Sequence, residues 1–506
     1  MEYLLVVDIG TTNVKAGVFK QRSLRPETVH SKPISRSSFG EQDLREIANA
    51  VTDVMKGAVK SCLNRVDAVF FTSQMHGLAV ISRKGEPISP LYTYLDTRSI
   101  ASSERLEREH GLDIYKETGC PPLFIYPLVK ILWLKEARAV KTGNVRFLVS
   151  AKDYVLLRLT GEHVTDISTA SGSQMVNIKT RQWSRMALDI AGIDETMLPA
   201  LLEGEREEIY IRKDAADDIG LSPEVPVYPG ISDAAGHNFG VGVFGSDSLA
   251  LNIGTSAAVR VASEHVVLDV PKMRIFNYYA GLGRWIIGGA VNNGGILIEW
   301  YRRNFAQPEE ATARYLGVDV FSLIERGASL SPPFPKGLLI IPYLSGERFP
   351  VRDPRIRGVI YGVTLETTTY DVARALMEGL AFTLRWIYDA LRENGIDPKE
   401  VRASGGGATS ELWRQIIADV FNLPVVYVGT KDATLRGAAL VYLIANGYVD
   451  LKDLLERSEK GGWKVNIPKH SNYLIYKRAY QLFKELYYLM RDFSHKYHES
   501  DDCLIQ

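Results

Sequence analysis

The chain has 506 residues, with 60 Lys and Arg against 60 Asp and Glu, so its formal net charge is zero and it has no global attraction to nucleic acid or anionic lipid. Hydrophobic residues make up 46% and charged ones 24%, an ordinary globular balance that excludes a disordered or collagen-like chain. Cys62, Cys120 and Cys503 share no Cys-x-x-Cys spacing, so neither a disulfide framework nor a thiolate zinc site is expected, and a reducing cytoplasm fits.

In chain order, the first 20 residues read as two strands, Tyr3 to Asp8 and Lys15 to Phe19, joined by a turn at 9–13 containing Gly10 and Asn13. Glu2 stands where a signal peptide wants basic residues and the apolar run stops at Asp8, so secretion is disfavoured. No later apolar stretch reaches the roughly 20 residues of a membrane span. A helix from about Glu41 to Lys60, with Leu44, Ile47, Val51, Val54 and Met55 on one face, precedes the apolar strand Ala68 to Thr72. A helix-rich stretch, about Ser102 to Thr160, leads to the glycine-rich segment Pro229 to Gly245 and a second strand-turn-strand, Ser248 to Val261, around Gly254-Thr255-Ser256.

The second half repeats this style. A strand at Gly337 to Tyr343 and a long amphipathic helix from Thr369 to Asn394 come before Val401 to Ser404, a short strand entering the loop Gly405-Gly406-Gly407-Ala408 ahead of a helix at Glu411 to Phe421. A helix over Tyr473 to Arg491 reads as packing. The expected divisions are an N-terminal lobe at 1–245, a second lobe at 246–450 and a helical extension at 451–506.

Three loops carry chemistry. Asp8-Ile9-Gly10-Thr11-Thr12 sets an acid at a strand end beside a glycine and two hydroxyls; on its own it reads rather as a plain hairpin turn. Gly254-Thr255-Ser256 offers a second such turn, and Gly405 to Ala408 a third at a helix start, where bare backbone N–H groups favour phosphate or a flat base. Together they suggest a nucleotide site assembled from separate segments.

These loops, with the stretch Gly358 to Gly362 and, after it, Asp371 to Glu378, resemble the FGGY carbohydrate kinases, and the resemblance runs in order from about residue 3 to 445. It implies a two-lobed α/β fold of the actin/Hsp70/hexokinase, ribonuclease H-like ATPase type, with ATP and Mg²⁺ as cofactors. It implies that Asp233 is the catalytic base and Asp8 the Mg²⁺ partner through water. Thr11, Thr12, Gly254 and Thr255 would hold phosphates, Gly295 would bring backbone to the nucleotide, and Gly406, Gly407, Ala408 and Glu411 would meet the adenosine. Without the family, Asp233 is equally a helix cap.

On the substrate side, Gln74-Met75-His76-Gly77 follows a buried strand and resembles the sugar contact of xylulokinases and gluconokinases. Tyr94-Leu95-Asp96-Thr97-Arg98 forms the next sugar loop, with Arg98 the candidate for a substrate carboxylate. Gly254 to Arg260 and Trp285 to Gly295 resemble the gluconokinase branch, whereas Asp233-Ala234 departs from its usual Asp-Gly. The expected function is ATP-dependent phosphorylation of an open-chain sugar acid or sugar, gluconate-like in preference to a ketopentose or neutral polyol. An actin-like ATPase without sugar transfer and an exopolyphosphatase-type hydrolase are the competing classes. The expected partner is a small sugar, sugar acid or polyol, with no nucleic acid or membrane, and a homodimer is left open.

Overall fold

The computed structural model describes residues 2–504 apart from 21–22, 38–39, 64, 140–143, 431 and 452–462. It divides into two compact units, Met1–Phe244 with Ala262–Ile287 and Asp432–Gly461, and Gly245–Val261 with Gly288–Lys431 and Gly462–Gln506. Among the described residues no helix is long and apolar enough to cross a membrane, and Cys62 and Cys120 are buried.

The first unit is built on a six-stranded sheet in the order Ile209–Tyr210, Pro226–Ser232, Ala68–Ser73, Tyr3–Ile9, Asn13–Lys20 and Thr28–Pro33. The expected hairpin is present: Tyr3–Ile9 pairs antiparallel with Asn13–Lys20, and Gly10 N donates to Asn13 O (3.0 Å) to close the turn. The strands at 3–9, 68–73 and 226–232 run parallel, so their carboxyl ends, and the residues just beyond, emerge along one edge. Ala68–Ser73 is buried throughout, as a central parallel strand requires.

The helix expected from Glu41 begins instead at Leu44 and ends at Ser61. Asp43 caps it by accepting from the backbone of Arg45 and Glu46, while Glu41–Gln42 is drawn into a short antiparallel pair with Leu91–Tyr92. Its buried face, including Leu44, Ile47, Val51, Val54 and Met55, joins the core under the sheet.

The second unit repeats the hairpin-plus-parallel-strand plan. Ser248–Ile253 pairs antiparallel with Ala257–Ser263 and parallel with Glu400–Ser404, which in turn pairs with Val425–Tyr427 and then, antiparallel, Lys464–Asn466. Thr368 and Asp371 form a reciprocal cap on the helix Thr369–Glu393. The strand expected over 337–343 shortens to Leu339–Ile341, because its ladder partner among the described residues is the three-residue Val359–Tyr361. At the end of the chain a helix spans His470–Leu504. Of the expected 451–506 extension, residues 452–462 lie outside the described residues.

Candidate active site

The three parallel strand ends of the first unit deliver its acids. Asp8 sits near the end of Tyr3–Ile9, in register with Lys15 across the hairpin and with Thr72 on the other side. Lys15 Nζ is 2.9 Å from Asp432 Oδ1, at the foot of the helix Ala433–Ala445. Asp8 Oδ1 is shielded from solvent and has no hydrogen-bond partner among the described residues. Burial pushes the Asp8 carboxyl up to about 7, with the neighbouring Asp233 charge adding to the rise, Lys15 opposing it and Asp432 adding further. Two acids close enough to perturb one another, one with an enclosed and unsatisfied oxygen, are an arrangement that a cation would relieve.

Asp233 is the first residue of the helix Asp233–Gly240, and the cap is Ser232, whose Oγ accepts from Ala235 N. A helix cap therefore does not account for the Asp233 carboxylate. Just before it the strand slips register between Tyr228 and Ile231. Gly230 occupies this bulge at φ +77°, where a Cβ would lie 1.7 Å from Phe71 O. Ser168 Oγ meets both Ser232 N and Ser232 Oγ (3.1 Å each), and Lys152 Nζ donates to Ile231 O at 3.3 Å while pairing with the fully buried Asp166 at 2.5 Å. This buried network fixes the direction in which the strand hands over to Asp233.

The polar loops after the second strand are held by side chains. Gln74 is buried, accepts from Thr11 Oγ1 (3.0 Å) and donates to Gln42 Oε1 (2.7 Å), so the 74–77 loop is tied to the Asp8 turn. Thr12 is exposed and Thr11 is half-buried. Met75 is buried, and His76, at φ +67°, bonds through Nδ1 to Gly172 O (2.8 Å) with its ring edge-on to Tyr126 at 5.2 Å. In the next loop Asp96 is buried and Tyr94 half-buried.

Arg98, assigned in the sequence to a substrate carboxylate, lies against two protein carboxylates. Its Nη2 is 2.6 Å from Asp96 Oδ2 and 2.5 Å from Glu41 Oε1, and the guanidinium lies over the rings of Tyr92 and Trp133 at 5.1 and 4.9 Å. Composition-based reasoning missed this clamp because Glu41 is 57 residues away.

In the second unit the residues at the turns themselves are held chiefly by backbone. Asn252 and Ser404 are parallel partners, so the Gly254 turn and the Gly405 loop leave adjacent strand ends. Gly405 has φ +89°, and a Cβ there would lie 2.6 Å from both Asn252 Oδ1 and Ile253 O, whereas nothing lies within 4 Å of one at Gly406. Gly407 is equally tight against Ile253. The glycines do not open the helix directly: a short 3-10 turn, Gly407–Thr409, intervenes, and Ser410 caps Glu411–Phe421. Ala408 is buried and its carbonyl accepts from Arg414 Nη1 at 2.6 Å, whereas Glu411 is exposed. Gly295 N donates to Gly254 O at 2.7 Å and Gly294 N to Thr255 O at 3.1 Å, so the Asn-Asn-Gly-Gly segment braces the turn, leaving Thr255 exposed.

Three further features escaped the sequence reading. Lys15, with Asp432, sits beside Asp8; a basic residue opposite an acid across a hairpin was the available signal. Lys130 is a single charge within the apolar run Leu128 to Leu134, and it is fully buried. Glu347, pushed up to about 7 by burial, accepts from Asn292 N (2.5 Å), Asn293 Nδ2 (3.1 Å) and Arg348 N (2.8 Å), holding the segment that braces the Gly254 turn.

Comparison with known proteins agrees with this geometry. The profile of the FGGY family of carbohydrate kinases matches as its N-terminal domain over residues 3–240 and as its C-terminal domain over 249–446. A gluconokinase of Bacillus subtilis is 34% identical over 460 residues, covering 89% of each chain. A gluconate kinase structure from Lactobacillus acidophilus superposes with a TM-score of 0.89 at 27% identity, covering 98% of this chain and 99% of the other. A ligand-bound xylulose kinase structure from the same organism gives 0.90 at 27% identity, covering 98% and 100%. The α/β, actin-like ATPase fold expected from the sequence is thereby shown.

Proposed function

Because the chain belongs to the FGGY family of carbohydrate kinases, we propose that it transfers the γ-phosphoryl group of ATP to a hydroxyl of an open-chain sugar acid, with gluconate the preferred acceptor. The observation that carries this reading is the electrostatic coupling of Asp8 and Asp233 at the carboxyl ends of the two strands that flank Ala68–Ser73, beside the loops at 74–77 and 94–98 that an ATPase without a sugar acceptor has no reason to carry. Asp233 takes the proton of the acceptor hydroxyl as its oxygen attacks the phosphorus. Gln74, Met75, His76, Tyr94 and Asp96 shape the acceptor pocket, and Arg98 acts on the acceptor through Asp96.

Asp8 fits a Mg²⁺ ion. Among the described residues no group of three or more His, Cys, Asp or Glu could hold a metal, so the protein would supply few carboxylates and leave the remaining positions to water and phosphate oxygens, as Mg²⁺ prefers. Bound there, the ion would neutralise charge on the phosphates. Thr11, Thr12 and Thr255, with the backbone at Gly254 and Gly295, hold phosphate oxygens in this reading. Gly406, Gly407, Ala408 and Glu411 receive the adenosine, Ala408 through its backbone since its side chain is buried. A cytoplasmic enzyme with a small-molecule partner is consistent with these roles.

The xylulose kinase likeness supports a second reading, in which the acceptor is a ketopentose. A coupled assay over gluconate, xylulose, ribulose, glycerol and neutral polyols decides between them. The highest kcat/KM is expected with gluconate; xylulose or ribulose as best acceptor, with gluconate inactive, would overturn the acceptor and leave the kinase standing.

A further inference from the structure

The helix Pro127–Glu136 meets both acceptor loops along one face. Tyr126, Lys130 and Trp133 are spaced by four and three residues and so lie above one another on the helix. Tyr126 stacks edge-on to His76, Trp133 lies under the Arg98 guanidinium and edge-on to Tyr92 at 5.5 Å, and Lys130 stands between them. The Lys130 ammonium donates to His76 O (2.7 Å), Tyr92 O (3.0 Å) and Thr93 O (2.7 Å). Three donors meet three carbonyls, one from the first loop and two from Tyr92 and Thr93, which lead into the second.

We propose that Lys130 is a positioning residue for the phosphoryl acceptor: by joining the carbonyl of His76 to those of Tyr92 and Thr93, just ahead of the second loop, it holds the 74–77 and 94–98 loops in the one arrangement that seats the sugar. This rests on the reading that those loops form the acceptor pocket. An apolar side chain of similar volume would fill this fully buried place without desolvating a charge, so what the ammonium contributes is direction rather than stability. Burial lowers the Lys130 pKa to about 7, the opposite of what a stabilising ion pair would do, with Asp96 offsetting part of the fall and Arg98 deepening it. No other side chain bonds carbonyls of both loops among the described hydrogen bonds. An arginine would not replace it, because a planar fork cannot aim at three converging carbonyls.

The test is steady-state kinetics of Lys130→Met on the full chain with the cognate acceptor, alongside nucleotide affinity measured without acceptor. The acceptor KM is expected to rise by ~10-fold or more, kcat to fall less, and nucleotide affinity to stay within about two-fold, since only the acceptor side is disordered. Lys130→Gln, which keeps two amide donors, should recover part of the loss, and it supplies the same measurement if the methionine variant does not fold. An unchanged acceptor KM, or equal loss of acceptor and nucleotide affinity, would overturn the proposal. His76→Ala separates the two layers of inference. If it raises the acceptor KM while Lys130→Met does not, Lys130 is not the positioning residue; if neither variant moves it, the loops are not the acceptor pocket.

Discussion

The two units weight side chains and backbone differently in arranging their loops. In the first, side chains do the holding: Gln74 to Thr11 and Gln42, Lys130 to three carbonyls, Arg98 to Asp96 and Glu41, Lys152 to Asp166. In the second, the Gly254 turn is braced by backbone bonds from Gly294 and Gly295, and Gly405 lies so close to Asn252 and Ile253 that no side chain fits there. Loops held by directed side chains can recognise the pattern of hydroxyls on one particular acceptor. Bare backbone suits a nucleotide, whose phosphates want N–H donors and whose base wants a flat surface.

This contrast predicts how substitutions divide. Asp233→Ala should lower kcat at least ~10²-fold while nucleotide affinity, measured by equilibrium binding, changes little. Near-normal turnover in that variant would remove Asp233 from the mechanism. On the backbone side, Gly405→Ala and Gly406→Ala form a pair. The first forces a Cβ into a left-handed residue and against a carbonyl, and should destabilise the protein by about 2 kcal/mol or more. The second meets open space at φ −59°, so its stability should stay within about 0.5 kcal/mol of wild type while the nucleotide KM rises. Denaturant unfolding and nucleotide kinetics of the two read this directly. Equal destabilisation would contradict the geometry, and an unchanged nucleotide KM for Gly406→Ala would place the adenosine elsewhere.

The same contrast explains what was legible in the sequence. Glycine loops and acids at strand ends announce themselves locally: the hairpin around Gly10, the turn at Gly254 and the loop at Gly405 each lie within a few residues, and so did the resemblance built on them. What joins distant segments did not. Glu41 reaches Arg98 across 57 residues, Lys130 reaches His76 across 54, and Lys152 reaches Ile231 across 79. None of these pairings leaves a local pattern: Lys130 sits in an apolar helix that periodicity reads simply as core, and the partners of Lys152 and Arg98 lie far along the chain. One helix start failed for the same reason at smaller scale. Asp43 overrides the periodic pattern that began at Glu41, because a cap satisfies backbone N–H groups that hydrophobic spacing does not register.

Arg98→Ala sharpens the side-chain half of the comparison. If the guanidinium orients Asp96, the acceptor KM should rise about 5- to 10-fold for gluconate and for a neutral polyol alike. A rise confined to the charged acceptor would return Arg98 to direct carboxylate binding.

The smallest effect concerns Asp8. Its folded pKa, near 7, lies above the ordinary carboxyl value, so folding takes up a proton between about pH 4 and 7. Stability from this group is therefore present at low pH and lost as pH rises through about 7. Without divalent cation, Asp8→Asn should raise the melting temperature by about 1–3 °C at pH 8, a difference that shrinks towards pH 4, while lowering activity. A melting temperature unchanged or lowered at pH 8 would mean that Asp8 is already compensated within the protein.

The most direct measurement of the central claim is a product balance: ATP, Mg²⁺ and gluconate with the wild-type chain, quantifying ADP, free phosphate and phosphorylated acceptor together. Phosphotransfer governed by Asp233 predicts one phosphorylated acceptor for each ADP, little free phosphate, and the loss of both products in Asp233→Ala. ADP matched by free phosphate, with no phosphorylated compound from gluconate or any other sugar or polyol, would contradict it.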